Sequence, residues 1–133
     1  MMLPYTHKSY ADWAQLTARL MLAAQFAVAA YFKLSMFSGE VAQTAAAGVP
    51  FASLAVVLAL LLELLGVASL VTGWRLRAVA FVLAPYIMLL AVIFYHNWND
   101  MQAFGMFVSH LGLTAALLYV SVFGTSFMSI EKK

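Results

Sequence analysis

The sequence contains no cysteine. Within this chain, that excludes a disulfide relay, a persulfide carrier, a thiolate metal site and an iron–sulfur cluster, all of which depend on cysteine sulfur. Charge is scarce as well. Only 9% of the 133 residues are Asp, Glu, Lys or Arg, where a soluble globular chain carries roughly 25%. The net charge of +2 invites a polyanion partner, but the 7 Lys and Arg are scattered. No basic stripe exists to track phosphates, so nucleic acid is not an expected partner. No Ser-His-Asp or P-loop pattern is present either.

What the chain has in abundance is apolar surface: 65% of its residues are hydrophobic and its mean hydropathy is +0.95. So small a chain has too little interior to hide that surface from water. The lipid bilayer is therefore the expected solvent, and the expected architecture is all-α, a multi-pass bundle of four transmembrane helices forming one domain over residues 1–133.

The gaps between charges are membrane-sized. A helix rises about 1.5 Å per residue, so a hydrocarbon core of about 30 Å takes about 20 apolar residues. The spacing predicts spans over about Trp13 to Met36, Phe51 to Thr72, Ala78 to Tyr95 and Ala103 to Phe123. Gly48-Val49-Pro50 opens the second and Gly73 is placed to cap its end. Pro85 lies inside the third and should bend it. Transmembrane strands would alternate in short segments, whereas Val56 to Leu62 is apolar on all sides. A cleaved signal peptide rivals the first span, because Lys8 and Arg19 precede an apolar stretch with Ala27-Val28-Ala29. That stretch is read as a span.

Lys8, Arg75, Arg77, Lys132 and Lys133 gather on one side of such a bundle, with Glu40 and Asp100 on the other. The positive-inside rule then places both termini in the cytoplasm. Trp13 and Trp74 fall near the inner interface and Tyr31, Phe32, Tyr95 and Trp98 near the outer one, as an aromatic belt requires. Arg19 and Lys33 sit near span ends, where long side chains can snorkel to headgroups. Small-residue stripes (Ala23, Ala27 and Ala30; Gly66, Ser69 and Gly73; Gly105, Ser109 and Gly112) are expected to pack helices within the chain rather than form a dedicated dimer motif. A homo-oligomer stays open.

Glu63 is the first candidate site residue. It lies midway along the second span among leucines, where an ionised carboxylate costs several kcal/mol and must be paired or protonated. Arg19 is the nearest partner by sequence, with its guanidinium turned either inward to the carboxylate or outward to headgroups. Glu63 is either a proton acceptor or ligand site in a buried cavity, or a residue that holds helices together.

A second cluster lies toward the outer face. Lys33, His96 and His110 come from three helices, with Tyr31, Tyr95 and Trp98 at similar depth, and His110 about 10 Å below the outer end of its helix. Such donors suit the carbonyls of a quinone headgroup, and a histidine could exchange its proton. The structural alternative is that Lys33 snorkels, His96 caps a helix end and His110 bonds a neighbouring carbonyl. His96 and His110 differ in depth, which suits a bis-histidine haem poorly. Met101, Met106 and His110 could hold copper(I), but methionine is a common filler in membrane helices. No metal site is expected.

In order and spacing the chain resembles the DoxX family of small bacterial and archaeal membrane proteins, from about Arg19 to Phe123. The likeness rests on Arg19-Leu20, on Tyr31-Phe32-Lys33-Leu34 followed by Phe37, and on Ala47-Gly48-Val49-Pro50. It continues through Leu62-Glu63-Leu64-Leu65-Gly66 with Gly73 and Arg77 after it, and ends at His96-Asn97-Trp98. The resemblance implies a four-helix fold in the cell (inner) membrane and association with respiratory or redox systems. The family takes its name from a subunit linked to thiosulfate:quinone oxidoreduction and terminal oxidase complexes, and other members are linked to oxidative-stress complexes. Lys33, Glu63, Arg77 and His96 match its recurrent polar positions, without a catalytic role attached to any of them.

The chain would then be at most the membrane component of a quinone-linked oxidoreductase, with quinone as cofactor and a soluble or membrane redox subunit as partner. A non-enzymatic anchor or assembly subunit, and a small transporter or proton path through Glu63, remain the alternatives.

Overall fold

A computed structural model describes the backbone of residues 5–124, with side chains from residue 10 onward. Every regular element among the described residues is helical: α1 (Tyr5–Ser35), α2 (Phe37–Ala46), α3 (Ala52–Thr72), α4 (Leu76–Phe94) and α5 (Met101–Phe123). Of the charges used for orientation, the Lys8 side chain and the whole of Lys132 and Lys133 lie outside this description.

Three helices, α3, α4 and α5, are each long and apolar enough to cross a membrane. A fourth crossing arises if α1 and α2, which meet at a 98° bend, count as one broken span. The chain has little choice but helix here, because lipid offers no partner for a free N–H or C=O. Its hydroxyls follow the same rule. Thr17, Ser35, Thr72 and Ser109 each donate to the carbonyl four residues back, at 2.6–3.0 Å.

The connection from Phe37 to Pro50, between the first two expected spans, contains the short helix α2. Its ten residues include Gly39 and four polar side chains, so neither length nor composition marks it as a span. It forms because Thr44, Glu40 and Val41 lie on one side and turn inward, with Thr44 buried, and α2 packs on α3. Gly48, at a φ of 88°, turns the chain from α2 toward α3. At the far end of α3, Gly73 (φ 78°) and Arg75 (φ 44°) both adopt left-handed backbone, which reverses α3 into α4 within three residues. Asp100 caps α5 by accepting the Gln102 amide at 3.0 Å.

The helices pack as two pairs, α1 on α3 and α4 on α5, and the pairs meet mainly through α3 and α4. That meeting is close at Gly66, where a Cβ would stand 2.9 Å from Leu83 Cδ1. The main buried core lies toward the end of the bundle nearer the termini, where Ala23 and Phe26 of α1, Leu70 of α3, Leu76, Val79, Ala80, Leu83, Ala84 and Ile87 of α4 and Leu117 of α5 come together. Toward the other end the pairs part.

The small-residue stripes differ in what they do. Gly66, Ser69 and Gly73 are all buried, as are Ala23 and Ala30. Ala27 faces outward, and a Cβ on Gly105 or Gly112 would meet nothing within 4 Å. The α5 stripe therefore does not pack helices within this chain, because α4 covers a different face of α5.

Candidate functional site: a cleft with a buried ion pair

Where the helix pairs part, a cleft of about 660 Å³ opens. Apolar residues make most of its wall, among them Phe26, Val56, Leu62, Ile87, Leu90 and Leu113. Its polar lining is sparse and comes from all five helices: Gln25 and Lys33, Glu40 with Gln43 and Thr44, Glu63, Tyr86 with Tyr95, and Ser109 with His110.

Glu63 anchors this set. It is 1% exposed, and the Lys33 ammonium donates to its Oε1 at 3.0 Å. The Tyr86 hydroxyl donates to the same oxygen at 2.8 Å. The partner of Glu63 is thus Lys33 rather than Arg19, and Lys33, 14% exposed, turns inward instead of snorkelling outward. The reason is local: an unpaired carboxylate at mid-span is costlier than drawing in a lysine whose flexible stem can reach it.

Both donors bind one oxygen. The other, Glu63 Oε2, is buried and has no hydrogen-bond partner. Leaving one lone-pair site of a carboxylate unmet in a low-dielectric setting costs about 1–3 kcal/mol. The other unpartnered buried side-chain atom among the described residues is the Thr114 hydroxyl, a neutral group on a residue that does not line the cleft.

Arg19 also turns inward, but elsewhere. It is 2% exposed, and it donates from Nε to the Leu70 carbonyl at 2.9 Å and from Nη2 to the Val71 carbonyl at 3.1 Å. These carbonyls end α3, where four lack helical partners and the helix dipole is negative. Arg77 repeats the device on α5, donating to the Ser121 and Val122 carbonyls. The two arginines close the end of the bundle that carries the termini.

The outer cluster divides. Lys33, Tyr95 and His110 line the cleft, and the Tyr95 and His110 rings lie 5.0 Å apart. His110 Nδ1 is 2.8 Å from the Met106 carbonyl of its own helix. A carbonyl only accepts, so Nδ1 carries the proton and the neutral ring keeps Nε2 as an acceptor. His96 is exposed, with Nδ1 3.1 Å from the Val92 and Ile93 carbonyls of its own helix. Trp98 packs edge-on against Phe104 and Phe107, and Tyr31 is exposed beside Phe32. These last three do not line the cleft.

Tyr86 was not singled out from sequence, and neither were Glu40, Gln43 and Thr44. A signal for Tyr86 did exist. Membrane tyrosines favour the interfaces, while Tyr86 stands near the middle of an apolar helix, where its hydroxyl requires a partner. Among the described residues, no group of three or more His, Cys, Asp or Glu could hold a metal ion.

The DoxX family model matches residues 14–98, which leaves α5 and His110 outside the matched stretch. Inner membrane protein YqjF of Escherichia coli (strain K12) is 27% identical over 125 residues, covering 94% of this chain and 95% of its own length. No solved structure matches. With several apolar helices and a relative alike along nearly its whole length, the protein is a multi-pass inner-membrane protein, and the family match over most of the chain makes it a member of the DoxX family.

Proposed function

We propose that the chain is a four-span membrane subunit, termini in the cytoplasm, whose cleft receives a quinone-type headgroup on behalf of a redox partner. The observation that carries this reading is the cleft itself. It has mostly apolar walls, lies between two helix pairs, and holds a buried Lys33–Glu63–Tyr86 group. Its volume falls within the usual range for small-molecule sites, which pair apolar walls with few polar groups. A lipid-soluble ring with one or two oxygens matches that chemistry. A phosphate or carboxylate does not, because the lining sets one lysine against Glu40 and Glu63.

The topology draws support from Arg75 and Arg77 beside the α3–α4 turn, with Asp100 and Glu40 at the opposite end. The absence of cysteine makes it directly testable. A membrane-impermeant maleimide should label Asn99→Cys in intact spheroplasts and Arg75→Cys only after lysis.

For the cleft, the test is binding of a short-chain benzoquinone to purified protein. Lys33→Ala, through the lost ammonium donor, and His110→Ala, through the ring surface it removes from the cleft wall beside Tyr95, should each weaken it by about tenfold, or about 1.4 kcal/mol. Unchanged affinity in both variants sinks the reading.

Arg19 favours a second reading, an anchor or assembly subunit, because it is a buried charge bonded to main-chain carbonyls at a helix end. In that case Glu63→Gln lowers thermal stability and changes no binding.

A further inference from the structure

One residue of the cleft lining, Glu63, keeps a buried acceptor that none of the donors in that lining reaches. Glu63 lines the cleft, and its Oε2 is buried with no hydrogen-bond partner. His110, with its Nδ1 proton held by the Met106 carbonyl, presents an acceptor at Nε2 when neutral. The Tyr86 hydroxyl proton is already held by Glu63 Oε1. Lys33 gives one of its three protons to that oxygen as well.

A ring carbonyl, which only accepts, leaves Oε2 unmet. A ring hydroxyl does both jobs, donating to Oε2 while its oxygen accepts from Lys33. Sites built to bond a ligand hydroxyl reject the analogue lacking it far more strongly than apolar contacts discriminate by size, because their own polar groups are otherwise stranded.

We propose that the cleft selects the reduced, hydroxyl-bearing form of its ligand, a hydroquinone or related phenol, with Glu63 Oε2 accepting the hydroxyl proton in a hydrogen bond. This rests on the reading of the cleft as a headgroup site and adds which redox form it holds.

The carboxylate oxygens also predict what a substitution does. In Glu63→Gln the amide oxygen can keep the bonds from Lys33 and Tyr86, which places the NH₂ where Oε2 stood. An acceptor becomes a donor, and the preference should turn over.

The experiment measures binding to the detergent-purified full chain under anaerobic conditions, by quenching of tryptophan fluorescence. The probes are decylubiquinone, its borohydride-reduced quinol, and the bis-methyl ether of that quinol, which keeps the ring oxygens and carries methyls in place of the hydroxyl protons. The expected result is that the quinol binds at least about tenfold tighter than either other probe. In Glu63→Gln, that advantage should vanish or pass to the quinone.

Equal affinity for all three probes in the native chain overturns the proposal and leaves the headgroup site standing. Failure of all three to bind removes the headgroup site itself. Should Glu63→Gln not fold, the native chain decides alone, and the quinol must outbind both the bulkier methyl ether and the quinone, which is no larger than the quinol.

Discussion

The two ends of this bundle handle buried charge in opposite ways. At the end carrying the termini, Arg19 is buried deeply and bonded to the Leu70 and Val71 carbonyls. Those acceptors would otherwise be stranded at the close of α3. In the cleft, Lys33 and Tyr86 converge on one oxygen of Glu63 and leave the other without a partner. The first arrangement completes the fold's own hydrogen bonding. The second leaves bonding capacity on a residue that lines a cavity. Buried charge therefore does not mark function by itself; what distinguishes the cleft is the valence left over.

The sharpest way to break this comparison is to remove each charge. Arg19→Ala strands two carbonyls at about 1–3 kcal/mol each, so it should lower stability by about 3 kcal/mol, measured by thermal or denaturant unfolding in detergent. Arg19→Lys should recover only part of this, since one ammonium lacks the planar fork that meets two carbonyls at once. If Arg19→Ala unfolds like the native chain, the closed end is not held together as described.

Lys33→Ala should cost less, about 2 kcal/mol, because Tyr86 still donates to Glu63 Oε1. Replacing the pair together by leucines should regain most of that loss, since a buried ion pair exchanged for packed apolar groups is often close to neutral. The double variant would then fold and fail to bind the benzoquinone. That outcome separates the cleft from the clamp, where no partner substitution can supply the missing donors.

This contrast also explains what could be read from the sequence. The spans α3, α4 and α5 were legible to within two residues at each end, because hydropathy and length decide them. Glu63 was legible for the same reason, as a charge among leucines. Its partners were not. Lys33 stands near a span end, from which its stem reaches headgroups or carboxylate equally well, and only the position of α3 decides. Tyr86, a tyrosine at mid-helix, shows in sequence that its hydroxyl needs a partner but not which one.

The helix α2 was hidden because its stability comes from packing on α3 rather than from its own composition. The stripe of Gly105, Ser109 and Gly112 names a surface that can approach another helix closely, but not which helix. In this chain none does.

A smaller effect tests how the two halves are joined. The pairs of helices meet where Gly66 lets Leu83 approach, and Leu83 is fully buried. Gly66→Val should cost about 1–2 kcal/mol through overpacking, and Leu83→Ala in the same chain should cost less than the sum of the two single changes, because the removed methyls clear the added ones. Additive losses would mean that the contact between α3 and α4 does not fix the spacing of the cleft.

The smallest effect belongs to His96, and it sets the outer boundary of the cleft. Its exposed ring bonds the Val92 and Ile93 carbonyls, at the last turn of its own helix. A helix-end interaction of this kind is worth about 0.3–1 kcal/mol. His96→Ala should therefore move the unfolding transition slightly and leave benzoquinone affinity within about twofold, while His110→Ala weakens binding by about tenfold. The two histidines share residue type and both bond a carbonyl of their own helix, so they differ chiefly in whether the ring borders the cleft. A loss in His96→Ala as large as that in His110→Ala would carry the binding surface out past the end of α4, and the division between a cleft that binds and a rim that only caps would no longer hold.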